Sequence, residues 1–304
     1  MKQYESSFTS LVSAFARAYH SKFDTPIIFD DFLARQLITE DEFKEISRHM
    51  IQGISFFNKD IALKFKGNSD EILKWITQVQ LSPTPLARSA YTEKVLENEI
   101  LLGLRQFVIL GAGLDTFAFR HPELKNILKI FEIDHPSTQA FKKNRLASMD
   151  FEIPNNLHFT SIDFTQDFTY QDLLIQGLKN QKTLYSLLGV SYYLTKQELV
   201  TLIQTLFAIV PSGSSIVFDY ADEHLFEQKG LSNRVENMVK MAAASGEPMK
   251  ACFTYEEMEH LLEKSGLLIY EHLTPATIQE QFFSNRSDYL SAFESIHYIH
   301  AVKK

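Results

Sequence analysis

A glycine-containing turn follows the apolar segment QFVIL, in the stretch QFVILGAGLDTFAFR that spans residues 106–120. Gly111 and Gly113 have no side chain, so the backbone can bend sharply there and approach a ligand closely. A helix after the turn would offer that ligand free backbone N–H groups. Dinucleotide-binding turns use the pattern G-x-G-x-x-G, but the third position is Thr116 in this chain. The turn therefore indicates NAD or another adenosine ligand, with a purely structural turn as the alternative.

Acidic residues end the next two apolar segments. FEID places Glu132 and Asp134 about 20 residues beyond the glycines, where a carboxylate can accept hydrogen bonds from ribose hydroxyls. We expect Asp134, which is nearer the carboxyl end of the strand, to bind the ligand and Glu132 to be structural. A helix N-cap is the alternative for Asp134. In SIDF, Asp163 could accept a hydrogen bond from the amine of adenine, and the ring of Phe164 could pack on the base. The alternative is that Asp163 only stabilises a turn and Phe164 only packs in the core.

The elements that must position these residues change character near residue 103. Residues 1–103 have a mostly helical pattern, interrupted by SPTP at residues 82–85, and predict a helical N-terminal extension. From residue 104 to 304, short apolar runs alternate with helical segments, which predicts an α/β domain with a mostly parallel sheet covered on both faces. Seven strands are expected: QFVIL, ILKIFEID, LHFTSID, KTLYSLLGV, SSIVFDY, LLIYEHL and SIHYIHAVKK.

Two capping boxes mark helix starts in this domain. Thr195 with Glu198 opens the helix between the fourth and fifth strands, and Thr254 with Glu257 opens the helix before the sixth. Residues 221–249 form a helical insert ahead of the sixth strand. Ligands of open parallel sheets bind at the carboxyl ends of the strands, where the strand order reverses, so the glycine turn stands at the expected site.

The composition bounds the class of protein. A formal net charge of -8 and a pI near 5.7 argue against a nucleic-acid surface, which needs clustered basic residues. Cys252 is the single cysteine, which excludes an internal disulfide and a cysteine-based zinc site and is typical of a reducing compartment. The chain has neither a run of about 20 apolar residues nor the apolar stretch of a signal peptide, so we expect a cytoplasmic protein without a membrane span.

Five motifs in order resemble one family. QFVILGAGLDTFAFR, FEIDHPSTQAFKKNRL, SIDF, GVSYYLTKQELVTLIQTL and GSSIVFDY together are similar to the leucine carboxyl methyltransferase family, and more closely to its bacterial branch of class I S-adenosylmethionine-dependent methyltransferases. The resemblance runs from LARSAYTEKVL to the final HYIHAVKK. It implies a Rossmann-like methyltransferase fold, with S-adenosyl-L-methionine as cofactor and S-adenosyl-L-homocysteine as product.

The resemblance also implies roles for single residues. The glycine motif, with Ala112 between its glycines and Asp115 after them, lies against the methionine part of the cofactor. The family's ribose acid falls on Asp134, and its adenine-binding pair falls on Asp163 and Phe164. Arg88 matches the arginine that holds the cofactor carboxylate, a task for which a guanidinium fork is suited. Arg17 is the nearest match to a basic residue of the family's N-terminal helix.

Leu188 departs from the family pattern. The family has a glutamate just before GV after the fourth strand, and this glutamate contacts the cofactor. Leucine cannot accept a hydrogen bond from the cofactor ammonium group, so the contact is either supplied elsewhere or lost. An uncompensated loss would cost about 1.5 to 3 kcal/mol. A methyltransferase-like protein that binds the cofactor without turnover is therefore one alternative, and an NAD(P)-dependent oxidoreductase is a less favoured one.

The methyl acceptor is expected to be a small molecule, methylated on a carboxylate or hydroxyl oxygen, with a protein carboxyl terminus as a further option. The sulfonium already activates the methyl group, so the reaction requires no metal and we predict none. A carboxylate acceptor would need no general base either. The polar residues near the strand ends are Tyr192, Tyr193, Asp222 and His224, and we assign none as a base. The segment EPM at residues 247–249, with Met238, Met241 and Phe253 nearby, is a candidate for an apolar acceptor pocket, with packing in the core as the alternative.

Overall fold

The computed structural model describes residues 8–166 and 168–304. One seven-stranded sheet with the order β3-β2-β1-β4-β5-β7-β6 forms its centre. The strands are β1 Gln106–Leu110, β2 Lys129–Asp134, β3 Leu157–Ser161, β4 Thr183–Leu187, β5 Ser215–Ala221, β6 Leu267–Leu273 and β7 Ile296–Lys303. All seven predicted strands are present, and the predicted α/β class is confirmed.

The sheet is parallel except at one strand. Strands β1 to β5 pair in parallel, whereas β7 is antiparallel to both β5 and β6. The strand order reverses between β1 and β4, where Leu110 of β1 lies between Ile133 of β2 and Leu187 of β4. This is the point at which a crevice opens beyond the carboxyl ends of the strands.

Helices surround the sheet and build the N-terminal extension. They are α1 Phe8–Phe23, α2 Glu40–Gln52, α3 Ile54–Phe57, α4 Lys59–Lys64, α5 Ser69–Ile76, α6 Pro83–Leu101, α7 Phe117–Arg120, α8 Pro136–Ser148, α9 Tyr170–Ile175, α10 Lys196–Phe207, α11 Arg234–Ala244, α12 Tyr255–Lys264 and α13 Pro275–Phe282. Within the described residues, none of these helices is both long enough and apolar enough to cross a membrane.

Local sequence signals account for several helix starts. Glu198 N–H donates to Thr195 Oγ1 over 3.2 Å at α10, and Glu257 N–H donates to Thr254 Oγ1 over 3.1 Å at α12. Both predicted capping boxes are therefore confirmed. SPTP marks a helix boundary, as predicted: Ser82 is a bend between the π-helical segment Thr77–Leu81, which extends α5, and α6, which begins at Pro83. Pro83 occupies the start of α6, where a missing N–H costs nothing.

Alternating strand residues divide the core between the two faces of the sheet. Phe107 and Ile109 of β1 pack in one cluster with α6, while Val108 and Leu110 pack in another with α10 and α12. A third cluster joins α1, α2 and α5 within the N-terminal extension. Helix α6 falls within the predicted extension of residues 1–103, yet it packs directly on the sheet and serves as one of its covering layers.

Candidate cofactor and acceptor site

A cavity of about 270 Å³ opens beyond the carboxyl ends of β1 to β4. Every cofactor-binding residue predicted from the sequence lines it: Arg88, Gly111, Ala112, Gly113, Asp115, Asp134, Asp163, Phe164 and Leu188. Arg17 lines it as well. The fold therefore brings together residues from six separate chain segments at the place where the strand order reverses.

The turn after β1 requires glycine at two positions. Gly111 and Gly113 have φ angles of 68° and 50°, a region in which other residues are strained. A Cβ on Gly111 would lie 2.4 Å from Val190 Cγ2. The expected helix after the turn is the single turn α7, and its Phe117 N–H donates to Asp115 Oδ1 over 2.7 Å. The free N–H groups predicted there are thus partly occupied, because Asp115 accepts the first one.

The two acids of β2 have separate environments. Asp134 lines the cavity, where Oδ2 accepts from Gly113 N–H over 2.6 Å and Oδ1 accepts from His135 N–H over 2.7 Å. Burial raises the pKa of Asp134, and these two N–H donors oppose the rise. Glu132 is buried away from the cavity against Lys142, and burial raises its pKa to about 7. Helix α8 takes its N-cap from His135 and not from Asp134.

Asp163 and Phe164 stand at the end of the cavity beyond β3. The Asp163 carboxylate holds its own turn, because Oδ1 accepts from Thr165 N–H over 3.0 Å and from Thr165 Oγ1 over 2.7 Å. Burial acts to raise the pKa of Asp163, but these hydrogen bonds and His135 lower it below its usual value. Phe164 is half-buried and packs against the sheet core. The pair is placed to meet a planar base.

A buried ion pair holds Arg88 at the opposite end of the cavity. Arg88 Nη1 of α6 donates to Asp219 Oδ2 over 3.0 Å and to Tyr192 Oη over 3.1 Å. Asp219 Oδ1 also accepts from Gly189 N–H over 2.6 Å. Burial opposes the charge on Arg88, but Asp219 raises the pKa of Arg88 above its usual value. The sequence analysis did not identify Asp219 as a site residue. A carboxylate within the apolar strand SSIVFDY could have indicated it, because a buried acid needs a partner.

The N-terminal helix and the helical insert complete the walls. Arg17 of α1 pairs with Asp31 over 2.8 Å and donates to Leu114 O over 2.8 Å, so it holds α1 against the glycine turn. Thr9 of α1 and Glu247 of the insert also line the cavity, and Thr9 Oγ1 donates to Glu247 Oε2 over 2.7 Å. Sequence reasoning missed Thr9 and considered Glu247 only as part of the EPM segment, since nothing local connects positions so far apart.

A second cavity of about 130 Å³ adjoins the first. The two share Thr9, Ser13, Arg88 and Tyr193, which we call the shared wall. The remaining walls are mainly apolar and include Val12, Leu81, Pro85, Met238, Met241, Ala242, Met249 and Phe293. Met238 and Met241 thus line an apolar cavity, as a role in an acceptor pocket would require. Phe253 does not, because it packs in the core cluster on the α10 and α12 face of the sheet.

The polar residues considered as bases lie in surroundings that do not favour that role. Burial raises the pKa of Tyr193 to about 12 and that of Tyr192 well above its usual value, so both phenols stay protonated at neutral pH. Asp222 and His224 are absent from the residues that line either cavity. Asp222 Oδ1 accepts from His224 N–H over 3.0 Å in the turn after β5.

The Rossmann-like sheet and the cavity at its reversal point are those expected of an S-adenosylmethionine-dependent methyltransferase. The model of the leucine carboxyl methyltransferase family matches residues 10–207, and the chain belongs to that family. A candidate S-adenosyl-L-methionine-dependent methyltransferase of Bacillus subtilis (strain 168), YktD, is 67% identical over 304 residues and covers 100% of both chains. A further candidate of this class from Mycobacterium tuberculosis (strain ATCC 25618 / H37Rv) is 26% identical over 231 residues, 71% of this chain and 60% of its own.

A solved structure shows the same fold. The crystal structure of a candidate methyltransferase from Thermobifida fusca superposes with a TM-score of 0.54 at 13% identity, covering 100% of this chain and 97% of that one. The predicted class I methyltransferase fold is therefore confirmed. The cofactor is S-adenosylmethionine, and the NAD(P) alternative is set aside.

The geometry of the larger cavity suits this cofactor. The glycine turn leaves space that a Cβ would fill, a carboxylate braced by two N–H groups stands next to it, and a guanidinium lies at the far end. The cavity thus offers a carboxylate that could hold a nucleoside and a guanidinium that could hold an amino-acid group.

Proposed function

We propose that the protein transfers the methyl group to an oxygen of a small, mostly apolar molecule, a carboxylate in preference to a hydroxyl. The observation that carries the proposal is the apolar second cavity, which meets the cofactor cavity at the shared wall. S-adenosylmethionine supplies an activated methyl group when bound, so the protein mainly needs to hold an acceptor oxygen in line with it. An acceptor in the second cavity would present that oxygen across the shared wall.

The cofactor would be held along the length of the first cavity. Asp134 would accept from the ribose hydroxyls, and Asp163 with Phe164 would receive adenine. Arg88 would meet the carboxylate of the methionine part, since Asp219 and Tyr192 fix the guanidinium at that end. With adenine and the amino-acid group held at the two ends, the shared wall would border the space left for the methyl group.

The chemistry of the second cavity favours a carboxylate acceptor. Its ionisable lining residues, among those that the structure describes, are Arg88, Tyr192 and Tyr193. None of them is a base at neutral pH, because an arginine stays protonated and both phenols have raised pKa values. A hydroxyl acceptor benefits from a base within hydrogen-bond reach, whereas a carboxylate is already ionised. The family name, leucine carboxyl methyltransferase, points to the same chemistry.

Transfer of a radiolabelled methyl group from S-adenosylmethionine to a cell extract tests the proposal. Label should enter the small-molecule fraction and leave it as volatile methanol after alkaline treatment, because esters are hydrolysed by base and ethers are not. Alkali-stable label would show a hydroxyl or nitrogen acceptor. Label confined to the protein fraction would show that the acceptor is a protein carboxyl terminus and not a small molecule. Cofactor binding with no transfer of label to any fraction would support the alternative that the protein binds the cofactor without turnover.

Filling the second cavity separates it from the cofactor site. Ala242 is buried and lines only the second cavity, so Ala242→Phe should block methyl transfer while S-adenosylhomocysteine affinity stays within about twofold of wild type. Ala243 is its exposed neighbour, and Ala243→Phe is the matched control. Thermal denaturation checks that both variants fold. Equal transfer by the two variants would show that the acceptor binds elsewhere.

A further inference from the structure

Among the residues that the structure describes, four acidic ones line the cofactor cavity: Asp115, Asp134, Asp163 and Glu247. Asp115 and Asp163 follow β1 and β3, Asp134 ends β2, and each of the three accepts a backbone N–H from one of the next two residues. Glu247 differs in origin, because it comes from the helical insert directly after α11. The insert therefore places a carboxylate in the cofactor cavity that the sheet itself does not supply.

Glu247 lies at the end of the cavity that borders the shared wall. Its Oε2 accepts from Thr9 Oγ1 over 2.7 Å, and Thr9 lines both cavities. Its charge also contributes to the raised pKa of Tyr193, a second residue of the shared wall. Asp134 at the end of β2 and Asp163 after β3, in contrast, lie on the other side of the glycine turn. Glu247 is thus an acid at the amino-acid end of the cavity.

Leu188 leaves a chemical gap at this same end. It lines the cavity next to Gly189, whose position is in contact with the Arg88 guanidinium. The α-amino group of the cofactor is an ammonium, and a buried ammonium needs an acceptor. Leucine has no acceptor, and Asp219 already accepts from Arg88 and from Gly189 N–H.

We propose that Glu247 accepts the hydrogen bond of the cofactor ammonium and so replaces the acceptor that Leu188 lacks. This inference rests on the cofactor of the class and is independent of the acceptor molecule. It gives the helical insert a role in cofactor binding. Because Thr9 donates to the same carboxylate, a bound ammonium also ties the insert to α1 above the shared wall.

Isothermal titration of the full chain with two ligands tests the role of Glu247. S-adenosylhomocysteine carries the ammonium, whereas 5′-methylthioadenosine lacks the whole amino-acid group. Glu247→Gln keeps an acceptor oxygen but removes its negative charge, so it should weaken S-adenosylhomocysteine roughly 5- to 15-fold and leave methylthioadenosine within about twofold. Glu236→Gln is the matched control, since Glu236 lies on the same insert and pairs with Lys240.

A second variant restores the acceptor at the other position. Leu188→Glu in the Glu247→Gln background should recover at least part of the lost S-adenosylhomocysteine affinity. Unchanged affinity in Glu247→Gln, or equal losses for both ligands, would overturn the proposal. Failure of the wild-type chain to bind S-adenosylhomocysteine would refute the cofactor assignment and this proposal together. The remaining outcome is that S-adenosylhomocysteine affinity depends on Glu247 but no extract accepts a methyl group. That outcome would support this proposal and count only against the proposed acceptor chemistry.

Discussion

Replacement of Asp134 by alanine gives a quantitative test of the cofactor site. The carboxylate has two tasks in the structure: Oδ2 and Oδ1 accept from Gly113 and His135 N–H groups at 2.6 and 2.7 Å, and the same group faces the cavity where a ribose would lie. Loss of a charge-assisted hydrogen bond to ribose is worth about 1.5 to 3 kcal/mol. We therefore expect S-adenosylhomocysteine affinity to fall roughly 10- to 150-fold.

The bracing task predicts a separate effect on the free protein. Without the carboxylate, Gly113 N–H loses its acceptor next to the cavity, which costs about 1 to 3 kcal/mol if water does not replace it. Isothermal titration with S-adenosylhomocysteine measures the first effect, and denaturant unfolding without ligand measures the second. Asp134→Asn keeps the shape and one acceptor oxygen, so its loss of affinity should be smaller than that of the alanine variant.

Glu132→Gln serves as the control on the neighbouring acid. Glu132 is buried against Lys142 outside the cavity, so this change should lower stability while ligand affinity stays within about twofold. If Asp134→Ala destabilises the protein and leaves S-adenosylhomocysteine affinity unchanged, Asp134 is only a brace for the turn. The assignment of the ribose site from its spacing would then be wrong.

Two further changes test the structure around the site. Gly189→Ala places a Cβ 2.5 Å from Arg88 Nη1 at a φ of 72°. It should lower the melting temperature more than the control Gly246→Ala, where φ is similarly positive but no atom lies within 4 Å of the new Cβ. Equal melting temperatures of the two variants would show that Arg88 moves aside. Burial and His297 lower the pKa of His272 to about 4 from an unfolded value of 6.5. Between these values the unfolded chain binds more protons, so stability should fall as pH drops from 6.5 towards 4. His272→Gln should flatten this dependence, measured by urea unfolding, whereas exposed His224→Gln should not.

Much of the fold is determined by local signals in the sequence. The strands follow from short apolar runs, and the two capping boxes of α10 and α12 depend on residues only three positions apart. Asp134 was found from its spacing to the glycines, because a strand, a short helix and the next strand have nearly fixed lengths. The strand order was not predicted, since β5, β6 and β7 carry no local feature that tells which of them pair.

The residues that build the site are predicted only in part from local signals. The glycine turn, the acids at the ends of β2 and β3, and the family to which they belong can all be recognised from the order of the residues. The contacts of Asp219 with Arg88, 131 positions away, and of Thr9 with Glu247, 238 positions away, become visible only in the folded chain. Such contacts depend on how helices from both ends of the chain pack over the sheet, and that packing is a sum of many distant apolar contacts which no short motif encodes.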